Sequence, residues 1–170
     1  PTMNGKRTRQ YVGIICALLA YYLIHEGAHL VSALCMGSFK SINLMALGVQ
    51  IDIFRDQMTD TQLGWFCLVG PLATFIAGIV MVILAPKFCS LQSKMGKAIC
   101  YYITIAILIL DPLYIGFLYR FVGGGDMNGI RLLIPETVAS ILFLIILAVN
   151  LILFFKLVLP QYKRSFQTEE

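Results

Sequence analysis

Four stretches of this sequence stay apolar for about 20 residues or more, and polar residues collect between them. The runs cover about 11–37, 64–85, 98–119 and 137–159. A helix needs about 20 such residues to cross the hydrocarbon of a bilayer. Each run is expected to be helical, because lipid offers no partner for the backbone of an open strand. Between the first two runs the pattern changes. Residues about 38–54 read SFKSINLMALGVQIDIF, alternating through Ile42, Leu44 and Ala46, then Val49, Ile51 and Ile53, around a break at Gly48. That predicts a short β-hairpin, too short and interrupted to be another span. Such backbone is tolerated near a membrane where protein or a wet cavity covers it. The expected architecture is an all-α polytopic membrane protein. It has four transmembrane helices, a short membrane-associated hairpin after the first, and a single domain over residues 1–170.

Composition agrees with that pattern. Of 170 residues, 59% are hydrophobic and mean hydropathy is +0.83. Charged residues make up 13%, about half the share of an average soluble domain. The lipid bilayer is therefore the expected partner of most of the surface. The net charge of +4 does not point to nucleic acid, because basic residues in such a chain chiefly report which loops face the cytoplasm. Nine of them (Lys6, Arg7, Arg9, Lys87, Lys94, Lys97, Lys156, Lys163, Arg164) fall on one side of the predicted spans. The other side has Lys40, Arg55, Arg120 and Arg131, diluted by Asp52, Asp56, Asp60 and Asp126. Both termini are thus expected in the cytoplasm. The five cysteines show no CxxC spacing and read as small buried hydrophobes, with no disulfide framework.

The chemistry lies inside the first run. His25, Glu26 and His29 form HEGAH, and these are the only two histidines of the chain. Positions i and i+4 share a helix face, so both imidazoles can reach one zinc ion, with Glu26 close by. Zinc so held acidifies a water, and Glu26 can take its proton and return it to a leaving amine. HExxH also arises by chance in soluble helices. In an apolar span, however, each ionisable side chain costs a few kcal/mol, and three of them unpaired would weigh against insertion.

A catalytic zinc needs a third protein ligand and an open position, and with no third histidine a carboxylate must serve. Asp126, between Gly123-Gly124-Gly125 and Met127-Asn128-Gly129, is the favoured candidate, since glycines let backbone approach a buried site. Asp111, beside Pro112 in the third run, is the alternative, or else a partner to a histidine. Glu136 reads more simply as a first-turn residue favoured by the helix dipole, and Asp52, Asp56 and Asp60 as solvated loop.

Three blocks, HEGAHLVSALCMG, LVGPLATFIAG and GGGDMNGIRLL, with the hairpin FKSINLMALGVQIDI after the first, resemble the site-2 protease family of intramembrane zinc metalloproteases. The branch most similar is the compact one that includes the bacillar sporulation-factor processing protease. The resemblance covers about 21–133. It implies zinc as cofactor on His25, His29 and Asp126, Glu26 as catalytic base, and hydrolysis of a transmembrane or membrane-bound peptide in a prokaryotic cell membrane. Where the family's glycine-proline motif continues to an asparagine, this chain has Thr74, whose hydroxyl could bind a substrate carbonyl. Asn128, beside the aspartate, is a further candidate for substrate contact or support. The family's Asn-x-x-Pro element has only Asp111-Pro112 as a counterpart, at wider spacing, so the choice between Asp126 and Asp111 stays open.

Strand addition at the hairpin edge, 42–53, would present the substrate in extended form. The family places its zinc near the cytoplasmic side. His25, by contrast, lies about 14 residues or about 21 Å into its run, in the outer half if the N-terminus is inside. Two rivals stand beside this reading. One is a membrane zinc protease of the prenyl-processing type, with a glutamate such as Glu136 as ligand. The other is a non-catalytic membrane protein that binds metal or partners, such as a transporter.

Overall fold

The computed structural model describes residues 3–45 and 48–167. Ala46, part of the predicted alternation, lies outside the described residues, as do the two ends of the predicted domain. The chain runs as α1 (Met3–Cys35), β1 (Phe39–Met45), β2 (Gly48–Ile53), a 3-10 turn (Arg55–Gln57), α2 (Asp60–Cys89) and α3 (Lys94–Leu113). A π turn (Tyr114–Leu118), α4 (Tyr119–Val122), α5 (Met127–Ile130), α6 (Glu136–Leu153), a second π turn (Phe154–Val158) and α7 (Leu159–Gln167) follow. Four helical stretches, Gly5–Cys35, Asp60–Cys89, Lys94–Val122 and Glu136–Gln167, are long and apolar enough to cross a membrane. This is the build of a multi-pass membrane protein with a hairpin after its first span.

The helices overrun the apolar runs because polar residues cap them. Thr59 Oγ1 accepts from the Gln62 amide at 3.2 Å while Gln62 Oε1 accepts from the Thr59 amide at 2.9 Å, a reciprocal cap that starts α2 four residues before its apolar run. Ser93 Oγ accepts from the Gly96 amide at 3.1 Å and starts α3. At the end of α1, Gly37 adopts φ +67° and the Ser38 amide returns to the Ala33 carbonyl at 2.9 Å, which turns the chain into β1.

The spans run up and down, so the hairpin, the start of α2, the end of α3 and the start of α6 share one end of the bundle. α1 packs on α2 and α3, and α3 also packs on α6. Leu19, Leu23, Ile83 and Ile152 point outward and stay exposed, as a lipid solvent favours. One buried cluster (Ala33, Phe66, Ile115, Met127, Ile130, Ala139) lies toward the hairpin end, and another (Ala85, Leu108, Phe154, Val158, Tyr162) toward the basic end.

The hairpin is antiparallel, pairing Ile42 with Ile51 and Leu44 with Val49, with an irregularity between Phe39 and Ser41. β2, rather than β1, lies more closely against α1. Among the described residues the sheet has two strands, and the second edge of β2 has no strand partner.

Pro112 lacks an N–H, so the Leu108 carbonyl four residues earlier loses its helical partner. Asn150 Nδ2 on α6 donates to that carbonyl at 2.8 Å. In the adjoining π turn Ser140 Oγ donates to the Gly116 carbonyl at 2.6 Å. Polar side chains of α6 thus repair the break in α3 where no water would do so.

Candidate metal centre

His25 and His29 point from α1 into the bundle, both buried. Each uses its Nδ1 on a fixed partner. His29 Nδ1 lies 2.8 Å from the Phe66 carbonyl, which can only accept, so this nitrogen carries the proton. His25 Nδ1 lies 3.0 Å from Asp111 Oδ2. In the neutral rings both Nε2 atoms are therefore left as bare lone pairs, and they face each other at 3.1 Å. The Asp126 carboxylate completes the triangle, with Oδ2 at 3.1 Å from His25 Nε2 and Oδ1 at 3.4 Å from His29 Nε2.

With both rings neutral, these three converging acceptors have no proton between them and repel one another unless a cation joins them. Zinc bonds of about 2.0–2.1 Å at tetrahedral angles place neighbouring donors about 3.3 Å apart. The observed spacings bracket that value, and the donor set is one that zinc accepts. Residues His25, His29 and Asp126 thus form a group able to hold a metal ion.

Asp126 reaches this point because the chain before it turns as few residues can. Gly123 has φ +106° and Gly125 has φ +40°, values that side-chain-bearing residues avoid. Tyr114 Oη donates to the Gly123 carbonyl at 2.8 Å and pins the loop, while Met127 and Ile130 of α5 are buried just after it. As a metal ligand Asp126 would bind in its ionised form.

The group opens on a cleft of about 740 Å³, walled by β2, the glycine loop and α1. Glu26, half-buried, lines it, with the Ile51 backbone amide turned toward its carboxylate. Asp52, Asp111 and Asp126 line it too, and among the described residues no lysine or arginine does. A bound cation is the charge that would balance these carboxylates.

Asp111 is at the site but not in the triangle. It meets His25 on the Nδ1 side, whereas the triangle forms on the opposite nitrogen, so the two aspartates cannot share an ion through that ring. Thr74, read from sequence as a contact for a substrate carbonyl, is 1% exposed and its hydroxyl sits 2.5 Å from Asp111 Oδ2. Pro71 O lies 2.9 Å from the same hydroxyl, but one proton goes to the stronger acceptor, the carboxylate. Thr74 therefore supports from behind and does not face the cleft. Asn128 is exposed at the cleft rim. Glu136 lies outside the group and accepts from Tyr119 Oη at 2.8 Å, with Arg131 at 3.9 Å.

Sequence reasoning missed three participants. Tyr21 bonds Asp111 Oδ1 at 2.5 Å, and its place four residues before His25 in a Tyr21, His25, His29 stripe was the available signal. The Phe66 carbonyl left no signal. Gly70 left a faint one, in the glycine-proline block. A Cβ there would lie 2.5 Å from His29 Nε2 and 2.9 Å from His25 Nε2, in space the triangle needs. Comparison with protein-family models, curated proteins and solved structures finds no match to this chain.

Proposed function

We propose that this protein is an intramembrane zinc metalloprotease that hydrolyses peptide bonds of membrane-embedded substrates in a prokaryotic cell membrane. The observation that carries the reading is the convergence of His25 Nε2, His29 Nε2 and Asp126 at 3.1–3.4 Å, next to Glu26 and inside a cleft. Bound there, zinc would supply a Lewis acid that polarises a carbonyl and acidifies water. Glu26 holds the proton released and returns it to the departing amine. The second edge of β2 would offer backbone N–H and C=O groups to an extended peptide, which helps unwind a substrate helix whose carbonyls are otherwise bonded. Asn128, which lines the rim, would contact that peptide. The glycine loop and Tyr114 close the cleft opposite.

Two observations count against the rivals. Glu136 is engaged by Tyr119 and Arg131, away from the histidines, which disfavours a prenyl-processing arrangement. Asn150, Ser140 and Thr104 each bond a backbone carbonyl and line no polar path, which disfavours a transporter. The test is metal content together with cleavage of a membrane peptide by the purified protein and its variants. Glu26→Gln should keep zinc and lose about 10³-fold in rate, a usual share for a general base. Asp126→Asn should lose zinc. A Glu26→Gln protein as active as wild type would overturn the proposal.

A further inference from the structure

Behind His25 stands an arrangement that the proposed chemistry does not by itself require. Asp111 is 1% exposed and lies deep in α3, at a depth where an ionised carboxylate is costly. It is met by three donors from two helices. Tyr21 Oη bonds Oδ1 at 2.5 Å, while Thr74 Oγ1 at 2.5 Å and His25 Nδ1 at 3.0 Å share Oδ2. Helix α1 contributes Tyr21 and His25, α2 contributes Thr74, and α3 carries Asp111 itself. Tyr21 stacks one turn above His25, with ring centroids 5.4 Å apart, and forms part of the cleft wall.

Neither Tyr21 nor Thr74 touches the Nε2 triangle, so any influence on it passes through Asp111 and the His25 ring. A carboxylate that accepts from the far nitrogen of a ligating imidazole fixes its tautomer, its orientation and its donor strength. Here the carboxylate is itself fixed, with each oxygen held by a hydroxyl.

We infer that Tyr21 is a positioning residue for metal binding, acting through Asp111 on His25, with Thr74 as its counterpart on the other carboxylate oxygen. This rests on the metal-site reading above. Its readout is zinc affinity, which needs no substrate and no turnover.

The experiment measures zinc dissociation by competition with a chromophoric chelator, on the full chain in detergent or nanodiscs. Tyr21→Phe removes one O–H and little else, and should weaken zinc about 10-fold. Asp111→Asn should weaken it about 100-fold, the range seen when such supporting groups are lost. If Tyr21 acts through Asp111, Tyr21→Phe made in the Asp111→Asn background should cost less than threefold more. Thr74→Ser should keep wild-type affinity and Thr74→Val should not, which separates the hydroxyl from mere packing. Cobalt loaded in place of zinc should give a visible band whose position moves in Tyr21→Phe, a change that lowered stability alone would not produce.

Unchanged zinc affinity in Tyr21→Phe, or fully additive effects in the double variant, overturns the inference while leaving the metal site standing. Wild-type protein that binds no zinc overturns both.

Discussion

The two halves of the bundle both bury polar side chains in an apolar setting, and they do so in opposite ways. Toward the basic end, four polar side chains bond backbone carbonyls: Asn150 on Leu108, Thr104 on Cys100, Ser165 on Cys89 at 2.7 Å, and Lys97 on Ser165 at 3.4 Å. Around the cleft, side chains also bond one another, in a chain from Thr74 and Tyr21 through Asp111 to His25, whose Nε2 faces His29 and Asp126. The first arrangement is directed at backbone, and at Leu108 it supplies a donor that the helix cannot. The second converges on a point where acceptors face acceptors, and it asks for something more. A buried polar residue in a membrane helix is thus read by what it bonds, rather than by its presence alone.

That contrast can be broken by substitution, and the largest effects belong to the cleft. Asp126→Asn should raise the zinc dissociation constant by more than about 100-fold, beyond the loss expected for a supporting residue, with thermal stability of the metal-free protein little changed. Equal zinc content in wild type and variant would remove Asp126 from the triangle. Gly70→Ala comes next. Its methyl would fall on both Nε2 atoms, and zinc affinity should drop by about 100-fold, as after loss of a supporting group. Retained affinity would mean the histidines bind metal in another orientation.

The basic end should respond in stability only. Asn150→Leu leaves the proline-freed Leu108 carbonyl without its donor, and should cost about 1 kcal/mol while zinc affinity holds. A fall in affinity there would mean the two halves are coupled through α3. The smallest effect should be Thr104→Val, within about 0.5 kcal/mol. Its hydroxyl only doubles a bond that the Cys100 carbonyl already has within the helix.

Much of this was legible in the sequence, for reasons that differ from residue to residue. The four spans follow from the length of apolar runs, and the hairpin from the change of period after Gly37. The ends of the spans were not legible from hydropathy, because Thr59 and Ser93 extend α2 and α3 with polar caps that lie outside any apolar window. At the site, HEGAH announces itself through the cost of ionisable groups in lipid, and Asp126 through its glycines. Asp111 could be placed near the chemistry, yet its side of the imidazole could not, since that depends on how α3 crosses α1. Tyr21 was hidden for a plainer reason. A tyrosine in an apolar span reads as packing until the residue across from it is known to be a carboxylate. Asn150 is visible in the sequence as a polar group within a span, but its task is not, because the carbonyl it serves is orphaned by a proline on another helix.

Gly70 carries one more consequence, in the currency of ion size. Where a side chain would have stood, the α2 backbone lies close against the two Nε2 atoms, so that side of the triangle cannot widen by a rotamer change. Ions that prefer bonds of about 2.3–2.6 Å, such as calcium, would need the donors to spread by about half an ångström, and would want more oxygen ligands than the cleft brings together. With a metal bound, the crossing of α1 and α2 would act as a gauge, and a competition series from zinc through cobalt and manganese to calcium should fall off steeply at the large end.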